Sequence, residues 1–425
     1  MIMDELVVSR LAAKNWPFSL EYLPQPVYMV GGAVRDAILG RVREYVDLDF
    51  IIPADAVKVA RKIAQRYQAG FVLLDAERQI ARVVFPHATV DFAQQEGESL
   101  ITDLHRRDFT INAIAYNPHT QEIIDPLEGF KDIESSLLRM ISPVNLQNDP
   151  LRLMRAYRQA AQLGFTIEPA TQETIRSLAK SINQVAAERV RVEIGYLLAN
   201  SQGTFWLNLA WKDGVLTSFF KNATEESFIK LTAVDQAYTL ISENWQQLGE
   251  ELANYVRETV KTSWLATAKL ACLVDSKPEI AEIELQELTY SRAEIRAVTT
   301  GLRLFSEIKA VKMPLRKQYF LFREMGILFP AVLVLALAND LVSKGIFEES
   351  MFITYEPLIK RYLDKNDAVA HPIPLLNGKD VMMALDIPAS SLVGELLMEV
   401  GVAQAEGKIS TVEAAIEFAR NLVKK

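Results

Sequence analysis

The hydrophobic periodicity of the chain changes near Leu137. Before that residue, short β-rich runs alternate with helical stretches; the runs lie at residues 27–30, 48–52, 71–74, 81–85 and 89–92. After it, apolar residues recur almost throughout at the three-and-four spacing of amphipathic helices. We therefore expect an α+β N-terminal head with a mixed sheet and helices, followed by an elongated all-helical part.

Composition excludes several classes of protein. Half of the residues are hydrophobic and 24% are charged, as in ordinary folded proteins. The single cysteine, Cys272, cannot form an internal disulfide, and four isolated histidines give little support for structural zinc. No export signal is recognised, and the most apolar run, residues 326–339, is shorter than the roughly 20 residues of a membrane span. We expect a cytoplasmic protein with no membrane segment.

Paired glycines stand between the first β-rich run and a short helical stretch. Gly31 and Gly32 let the backbone approach a ligand closely, and exposed N–H groups there suit a phosphate. Arg35 and Asp36 follow on the helical stretch. The alternative is a tight strand-to-helix turn in which Arg35 and Asp36 form only a surface ion pair.

Two aspartates follow, separated by one residue at the start of a β-rich run. In a strand, Asp47 and Asp49 point the same way, while Leu48 points to the other face. Carboxylates forced together attract a hard cation, and two Mg²⁺ ions can hold the attacking and leaving oxygens of a phosphoryl transfer. Asp91 could add a third carboxylate if its strand lies alongside. The alternative is a pair of solvent-facing acids on an edge strand.

A dense polar segment begins at Arg106 and Arg107. Arginine side chains bind phosphate oxygens through two nitrogens, and the spacing of Asp108 and Asn112 would put them on one face of a helix, where they could hold a ribose or a phosphate. The spacing of the apolar residues predicts that helix. The alternative is a capped, solvated helix start.

Several motifs then occur in order: GGAVRD at residues 31–36, DLD at 47–49, RRDFTINAIAY at 106–116, DPLEG at 125–129, NDPLRLMR at 148–155 and ERVR at 188–191. In this, the chain resembles the class II tRNA nucleotidyltransferase and bacterial poly(A) polymerase family over residues 27–200. The resemblance implies a DNA polymerase β-like catalytic head at residues 1–140, a helical neck with a nucleotide-templating motif at 141–210, a helical body at 211–370 and a tRNA-binding tail at 371–425.

The resemblance also implies roles for the residues above. Asp47 and Asp49 would bind two Mg²⁺ ions, and Asp91 matches a less certain third acidic position. The glycine turn with Arg35 and Asp36, and the segment with Arg106, Arg107, Asp108 and Asn112, would hold the triphosphate and sugar. The 3′-hydroxyl of tRNA would attack the α-phosphorus of CTP, with ATP left open as a second donor, and pyrophosphate would leave.

A base-reading motif of the family falls on residues 148–152. Asp149 and Arg152 would hydrogen-bond the base edge from one helical face, with Arg155 one turn further on. Cytosine and adenine share an exocyclic amino group beside a ring acceptor, so this pair could accept both bases and reject uracil and guanine. Asn148 departs from the family, which usually has an acid there, so we do not assign it the acidic residue's role.

Only residues 93–102 separate Asp91 and Phe92 from Asp103. Family members that add the final A have a longer flexible loop here, so the chain resembles the CC-adding subgroup, which leaves the last A to a separate A-adding enzyme. Complete CCA addition, A addition and poly(A) tailing are the alternatives within the enzyme class. An inactive RNA-binding protein is the alternative outside it, although Asp47, Asp49 and the arginines are all present.

A local basic segment could meet the tRNA despite a net charge of −8. Its candidate RNA-binding residues are Lys309, Lys312, Arg316, Lys317 and Arg323, and aromatic residues stand between them. The alternative is a solvated helix face with the aromatic residues in the core.

Overall fold

The computed structural model describes residues 2–41, 45–257, 260–309, 313–344 and 350–423. Contacts within the chain form two compact units, Met1–Ser218 and Phe219–Lys425. The finer division into head, neck, body and tail at residues 140, 210 and 370 stays a prediction.

A mixed sheet forms the centre of the first unit. Its strands are β1 (Tyr28–Val30), β2 (Val46–Ile52), β3 (Gly70–Asp75), β4 (Ile80–Phe85), β5 (Ala88–Gln94), β6 (Ala115–Asn117) and β7 (Glu122–Ile124). They lie in the order β3-β4-β5-β2-β1-β6-β7, and β2 and β5 pair in parallel while the other neighbours are antiparallel. The predicted α+β head with a mixed sheet is confirmed.

The two faces of the sheet differ in chemistry because side chains alternate along each strand. On one face Phe50 and Phe92 stack with ring centroids 5.6 Å apart, and Trp16 and Phe18 pack edge-on against Phe50. The residues that alternate with these phenylalanines along β2 and β5 point to the other face, and Asp47, Asp49 and Asp91 are among them. The aromatic packing therefore fixes which way the acidic residues point.

Ten helices surround this sheet and follow it in the described part of the first unit. They are α1 (Ile2–Leu11), α2 (Gly32–Ile38), α3 (Ala56–Tyr67), α4 (Leu100–His105), α5 (Gly129–Glu134), α6 (Pro143–Asn148), α7 (Leu151–Leu163), α8 (Pro169–Leu178), α9 (Ala187–Ala199) and α10 (Gly203–Lys212). Helix α7 is largely buried and packs against α9 and α10. It ends at Leu163 and is capped by Gly164, whose φ of +72° suits glycine. A short parallel pair, β8 (Leu137–Leu138) and β9 (Thr166–Ile167), flanks it.

The helix predicted from Asp108 onward is wrong. Phe109 is extended, Thr110–Asn112 form a single 3-10 turn, and β6 follows. The backbone of this segment pairs with residues 139–141: the Thr110 N–H donates to the carbonyl of Arg139, and the Ile141 N–H donates to that of Asp108. Tertiary pairing thus uses the groups that a helix would have used.

The second unit is mostly helical. Its helices are α11 (Glu225–Asn244), α12 (Gln246–Ala253), α13 (Trp264–Ala271), α14 (Pro278–Glu287), α15 (Arg292–Leu304), α16 (Leu315–Met325), α17 (Phe329–Lys344), α18 (Ser350–Leu363), α19 (Gly378–Leu385), α20 (Ser391–Ala405) and α21 (Val412–Val423). A small hairpin, β10 (Tyr255–Arg257) and β11 (Val260–Ser263), is a departure from the all-helical prediction.

The most apolar segment of the chain lies in α17. Every side chain from Phe329 to Ala338 is buried, as predicted for a core helix. By length and composition alone, Leu315–Lys344 could cross a membrane, but 67% of its most apolar window is buried inside the unit. Such burial is typical of a core helix, which passes the same test of length and composition.

Candidate active site

Asp47 and Asp49 lie on one face of β2, at the point where it pairs with β5. In this parallel register Asp47 stands opposite Thr89, and Asp49 stands opposite Asp91. The Thr89 hydroxyl donates a hydrogen bond of 2.7 Å to Asp47 Oδ1. Asp47 is exposed and Asp49 is half-buried. The two-residue spacing and the neighbouring strand thus bring three carboxylates to one face of the sheet.

The pKa of Asp49 is raised to about 6. Burial is the largest cause, and the negative charges of Asp47 and Asp91 add to it, while the guanidinium groups of Arg107 and Arg82 oppose it. Asp49 is therefore ionised only in part at mildly acidic pH. A nearby cation would relieve this unfavourable charge, which is the behaviour of a carboxylate placed to meet one.

The third carboxylate, Asp91, already has a partner. Arg82 stands directly opposite it on β4 and donates from Nε and Nη2 to the two carboxylate oxygens, both at 2.7 Å. Within the described residues, no group of three or more His, Cys, Asp or Glu is arranged to hold a metal ion. Asp47 and Asp49 are consequently the better candidates for cation ligands, and a catalytic role for Asp91 stays a prediction.

The glycine turn lies directly beside Asp49. Val30 pairs with Asp49 across β1 and β2, and Gly31, the next residue, has a φ of +74°. A Cβ atom added to Gly31 would lie 3.1 Å from Asp49 Oδ2 and 3.6 Å from Arg107 Nη1. Only glycine fits both this backbone conformation and this close approach. The turn therefore brings the backbone, a carboxylate and a guanidinium together.

Arg106 and Arg107 differ in their surroundings. Arg106 is exposed and forms an ion pair of 2.5 Å with Glu96. Arg107 is half-buried, and its Nε is buried with no hydrogen-bond partner in the described part of the chain. Its Nη2 lies 3.6 Å from Asp103, but a buried N–H without a partner is still costly, and phosphate oxygens could satisfy it. Of the two arginines, Arg107 is the better placed to meet a ligand at the glycine turn.

Four of the predicted residues belong to one buried hydrogen-bond network. Asp36 accepts from Arg35, and Arg35 donates from Nη1 to Asn112 Oδ1 at 2.7 Å. Asn112 donates to Asp108 Oδ1 at 2.8 Å, although the two residues do not share a helix. The "surface ion pair" alternative for Arg35 and Asp36 is therefore wrong, since both are less than 9% exposed.

Arg155 completes this network from helix α7. Its Nε and Nη2 donate to Asp108 Oδ2 at 3.0 and 2.8 Å. Burial acts to raise the pKa of Asp108, but the charge of Arg155 and hydrogen bonds from Arg155, Asn112 and the Phe109 backbone outweigh it and hold that pKa below its ordinary value. The Asp108 carboxylate in turn raises the pKa of Arg155. Both groups stay charged at neutral pH.

Asp149 and Arg152 do not lie on one helical face as predicted. Asp149 is extended and ends α6, and the helix with Arg152 begins only after Pro150, which disfavours helical backbone in the residue before it. The Asp149 carboxylate lies 3.5 Å from Arg189, and Arg152 Nη1 donates to the carbonyls of Arg106 and Asn145 at 2.8 and 3.0 Å. Of the two side chains, Arg152 still contacts the segment that carries Arg106.

The connection between β5 and α4 is short and held in place. The Gln95 N–H donates to the carbonyl of Ile52, the Glu96 N–H donates to Asp103 Oδ2, and the Ser99 hydroxyl caps α4. Five residues, 95–99, separate the strand from the helix. These five residues leave little room for the longer flexible loop of the members that add the final A.

Two of the five candidate RNA-binding residues, Arg316 and Lys317, have acidic partners. Arg316 pairs with Glu399, Lys317 lies 3.4 Å from Glu307, and Arg303 lies 2.6 Å from Glu324. Tyr319 and Phe322 are buried, as the core alternative expects. Lys312 and the side chain of Lys309 lie outside the described residues. RNA binding by these residues and by Arg323 stays a prediction, with a weaker electrostatic basis than the sequence indicated.

Three buried or cross-strand residues of the site were missed from the sequence: Thr89, Arg82 and Gln159. Thr89 and Arg82 could be found only from the register of β5 with its neighbours. Gln159 carried a readable signal, because it lies four residues after Arg155 and so on the same face of α7. It is 3% exposed and bonds to the network described above.

A cavity of about 320 Å³ lies beside β2 and α2. Its lining includes Gly32 on α2 and, on β2, Leu48 as well as Asp47 and Asp49. The carboxylate oxygens of Asp47 and Asp49 are hard donors that suit a divalent cation such as Mg²⁺, and the raised pKa of Asp49 reflects the charge that such a cation would offset. These two residues therefore fit a divalent metal.

Family comparisons cover most of the chain. The model described as the poly A polymerase head domain matches residues 27–139. The probable RNA and SrmB-binding site of polymerase A matches residues 164–226. A putative domain 2 of tRNA nucleotidyltransferase matches residues 258–419.

Individual relatives match over nearly their full length. A CC-adding tRNA nucleotidyltransferase of Synechocystis is 46% identical over 98% of this chain and 99% of its own. A CC-adding tRNA nucleotidyltransferase of Geobacter sulfurreducens is 30% identical over 94% of this chain and 91% of its own. The solved Thermotoga maritima CCA-adding enzyme complexed with tRNA shares the fold, with a TM-score of 0.65 and 19% identity over 94% of this chain and 91% of that one.

Proposed function

The chain belongs to the tRNA nucleotidyltransferase family, and we propose that it adds CC to the 3′ end of tRNA, using CTP and releasing pyrophosphate. The observation that carries the reaction class is the pair Asp47 and Asp49 on one strand face, with the glycine turn and Arg107 beside Asp49. Nucleotide transfer needs such a group of acidic and phosphate-binding residues at one point.

We assign the roles within the site as follows. Asp47 and Asp49 hold divalent cations, most simply Mg²⁺, which when bound neutralise the triphosphate and favour ionisation of the attacking hydroxyl. The turn at Gly31 and Gly32 admits the triphosphate close to the backbone, and Arg107 binds its oxygens. Asp49 must be ionised for this task, so its pKa of about 6 leaves it ready at neutral pH.

The network behind this site holds the nucleotide-facing groups in place. Asp108, Asn112 and Arg35 are fixed by mutual hydrogen bonds, and Arg155 joins them to α7. We propose that Arg152, on the same helix, reads the base edge together with Asp149. The guanidinium of Arg152 is oriented through Nη1 by two backbone carbonyls. A fixed donor beside an acceptor is what recognition of cytosine requires.

Two observations support arrest after CC. The relative at 46% identity over 98% of the chain is a CC-adding enzyme. The connection at residues 95–99 is short and is held by hydrogen bonds at both ends. We infer that a pocket without a movable loop keeps its selectivity for cytosine and does not change to adenine. Complete CCA addition or A addition is the alternative; poly(A) tailing and inactive RNA binding have less support.

The proposal implies further partners. A CC-adding enzyme needs a separate A-adding enzyme in the same cell, and we propose a cytoplasmic location, where tRNA matures. The single cysteine, Cys272, is consistent with a reducing compartment.

The function is tested with tRNA that ends at its discriminator base, incubated with each of the four nucleoside triphosphates in turn and with Mg²⁺. We expect CTP alone to extend the RNA, by two nucleotides. A product with ATP alone, or an unlimited ladder with any nucleotide, would reject CC addition. Omission of Mg²⁺ in the presence of a chelator should abolish extension, and undiminished extension would reject the metal assignment.

A further inference from the structure

Gln159 lies in the middle of α7 and is 3% exposed. Its side-chain amide extends from α7 and contacts Arg35 on α2, and Asp108 and Asn112 in the segment that follows α4. We infer that Gln159 is a positioning residue for the incoming nucleotide. Its hydrogen bonds hold Asn112 and Asp108 in one orientation and so keep the phosphate-binding and base-reading residues in a fixed relative position. This inference deepens the proposed function and rests on it.

The hydrogen bonds leave the Gln159 amide only one orientation. Its Oε1 accepts from Asn112 Nδ2 at 2.9 Å and from Arg35 Nη1 at 3.5 Å, and its Nε2 donates to Asp108 Oδ2 at 3.3 Å. Asn112 in turn donates to Asp108 and accepts from Arg35. A flip of either amide would set donors against donors, so the two amides fix each other.

Gln159 lies on the same helix as Arg152, one of the two residues proposed to read the base. Arg152, Arg155 and Gln159 follow at spacings of three and four and therefore share one face of α7. Arg152 belongs to the proposed base-reading pair, and Arg155 holds Asp108. Arg35, which Gln159 also contacts, lies on α2 directly after the glycine turn. Gln159 thus links the helix that reads the base to the helix that follows the phosphate turn.

A purely structural role would not need an amide here. The other buried residues of α7 are mostly apolar. They are Leu151, Leu153, Met154, Ala156, Tyr157, Ala160, Ala161 and Leu163. An apolar residue at position 159 could fill the space, but Asn112, Asp108 and Arg35 would each lose a partner. The amide therefore serves the polar network more than the packing of the helix.

The test compares Gln159→Met and Gln159→Glu with Gln162→Met, a matched control on the exposed side of the same helix. For Gln159→Met we expect the KM for CTP to rise about tenfold, which corresponds to about 1.4 kcal/mol, with more incorporation of wrong nucleotides and an unchanged KM for tRNA. The control should behave as the wild type. Circular dichroism at the assay temperature verifies that each variant is folded.

Gln159→Glu supplies a readout that a structural role would not move. An ionised glutamate would face Arg35 on one side but the Asp108 carboxylate on the other, where the hydrogen bond of the amide would be lost. A protonated glutamate can donate to Asp108 and accept from Asn112, as glutamine does. CTP affinity relative to wild type should therefore recover as pH falls from about 8 to about 6, while that of Gln159→Met should not. This comparison decides the question even if Gln159→Met does not fold.

Wild-type CTP affinity and selectivity in both Gln159 variants would overturn the inference. So would equal losses of CTP and tRNA affinity in proportion to the unfolded fraction. Failure of the wild-type protein to add CMP to tRNA would reject the proposed function instead, so the two failures are distinguishable.

Discussion

Replacing Asp49 by asparagine should stabilise the protein at neutral pH while abolishing nucleotide addition. Asparagine keeps the shape of the side chain but removes the charge that burial and Asp47 disfavour. The pKa of Asp49 is raised from 3.8 to about 6. At about 1.4 kcal/mol per pH unit, this rise means that ionised Asp49 lowers the free energy of unfolding by at most about 3 kcal/mol.

The sign of the pH dependence follows from the direction of the shift. Because the pKa is higher in the folded state, protonated Asp49 contributes stability that is fully present below about pH 3.8 and is lost as the pH rises through about 6. The advantage of Asp49→Asn should therefore be largest at about pH 8 and disappear toward about pH 4, where the wild-type carboxylate is itself protonated.

Urea unfolding without divalent cations, at several pH values between these limits, measures this difference. Glu134→Gln, which removes an exposed carboxylate from α5, is the control and should show no comparable gain. A destabilised Asp49→Asn variant, or a stability difference that does not change with pH, would refute the view that Asp49 carries an unfavourable charge. Retention of CMP incorporation by Asp49→Asn would refute its role in catalysis.

Three further predictions concern the same site. Gly31→Ala should lower kcat/KM for CTP by at least about tenfold, because a Cβ would meet Asp49 Oδ2 at 3.1 Å in a left-handed backbone conformation; steady-state kinetics with near-wild-type values would contradict this. Arg152→Ala should reduce discrimination between CTP and UTP by about 1–3 kcal/mol, by analogy with other base-edge contacts, and single-nucleotide gels would show unchanged selectivity if that role is wrong. Arg82→Ala removes a cation that lowers the pKa of Asp49, so the acidic limb of the pH profile of kcat/KM should move to higher pH. An acidic limb that does not move would contradict the effect of Arg82 on Asp49.

Local patterns in the sequence were sufficient for the acidic strand and the glycine turn. The two-residue spacing of Asp47 and Asp49 needs only an extended backbone, and the apolar residues Leu48 and Phe50 ensure that the other face is the buried one. The position of Gly31 between a strand and a helix likewise depends on neighbouring residues alone. Both predictions agree with the structure because short-range geometry determines them.

Features that depend on long-range pairing could not be read in this way. The segment after Asp108 has helical spacing, but its backbone hydrogen-bonds to residues 139–141, makes a single 3-10 turn at residues 110–112 and then continues into β6. The partners of Arg316 and Asp91 are likewise set by tertiary contacts: Glu399 lies 83 residues from Arg316, and Arg82 reaches Asp91 only through the register of two strands. Sequence patterns identify such charged residues but not the groups that neutralise them.

We propose that the enzyme stops after CC because its short connection at residues 95–99 cannot reshape the pocket. The most direct measurement gives the purified protein tRNA that already ends in CC, with ATP, CTP and Mg²⁺, and reads the product at single-nucleotide resolution. A parallel sample starts from tRNA that ends at the discriminator base. We expect no addition to the first RNA and arrest after two cytidines on the second. Addition of a terminal A to either RNA would contradict it.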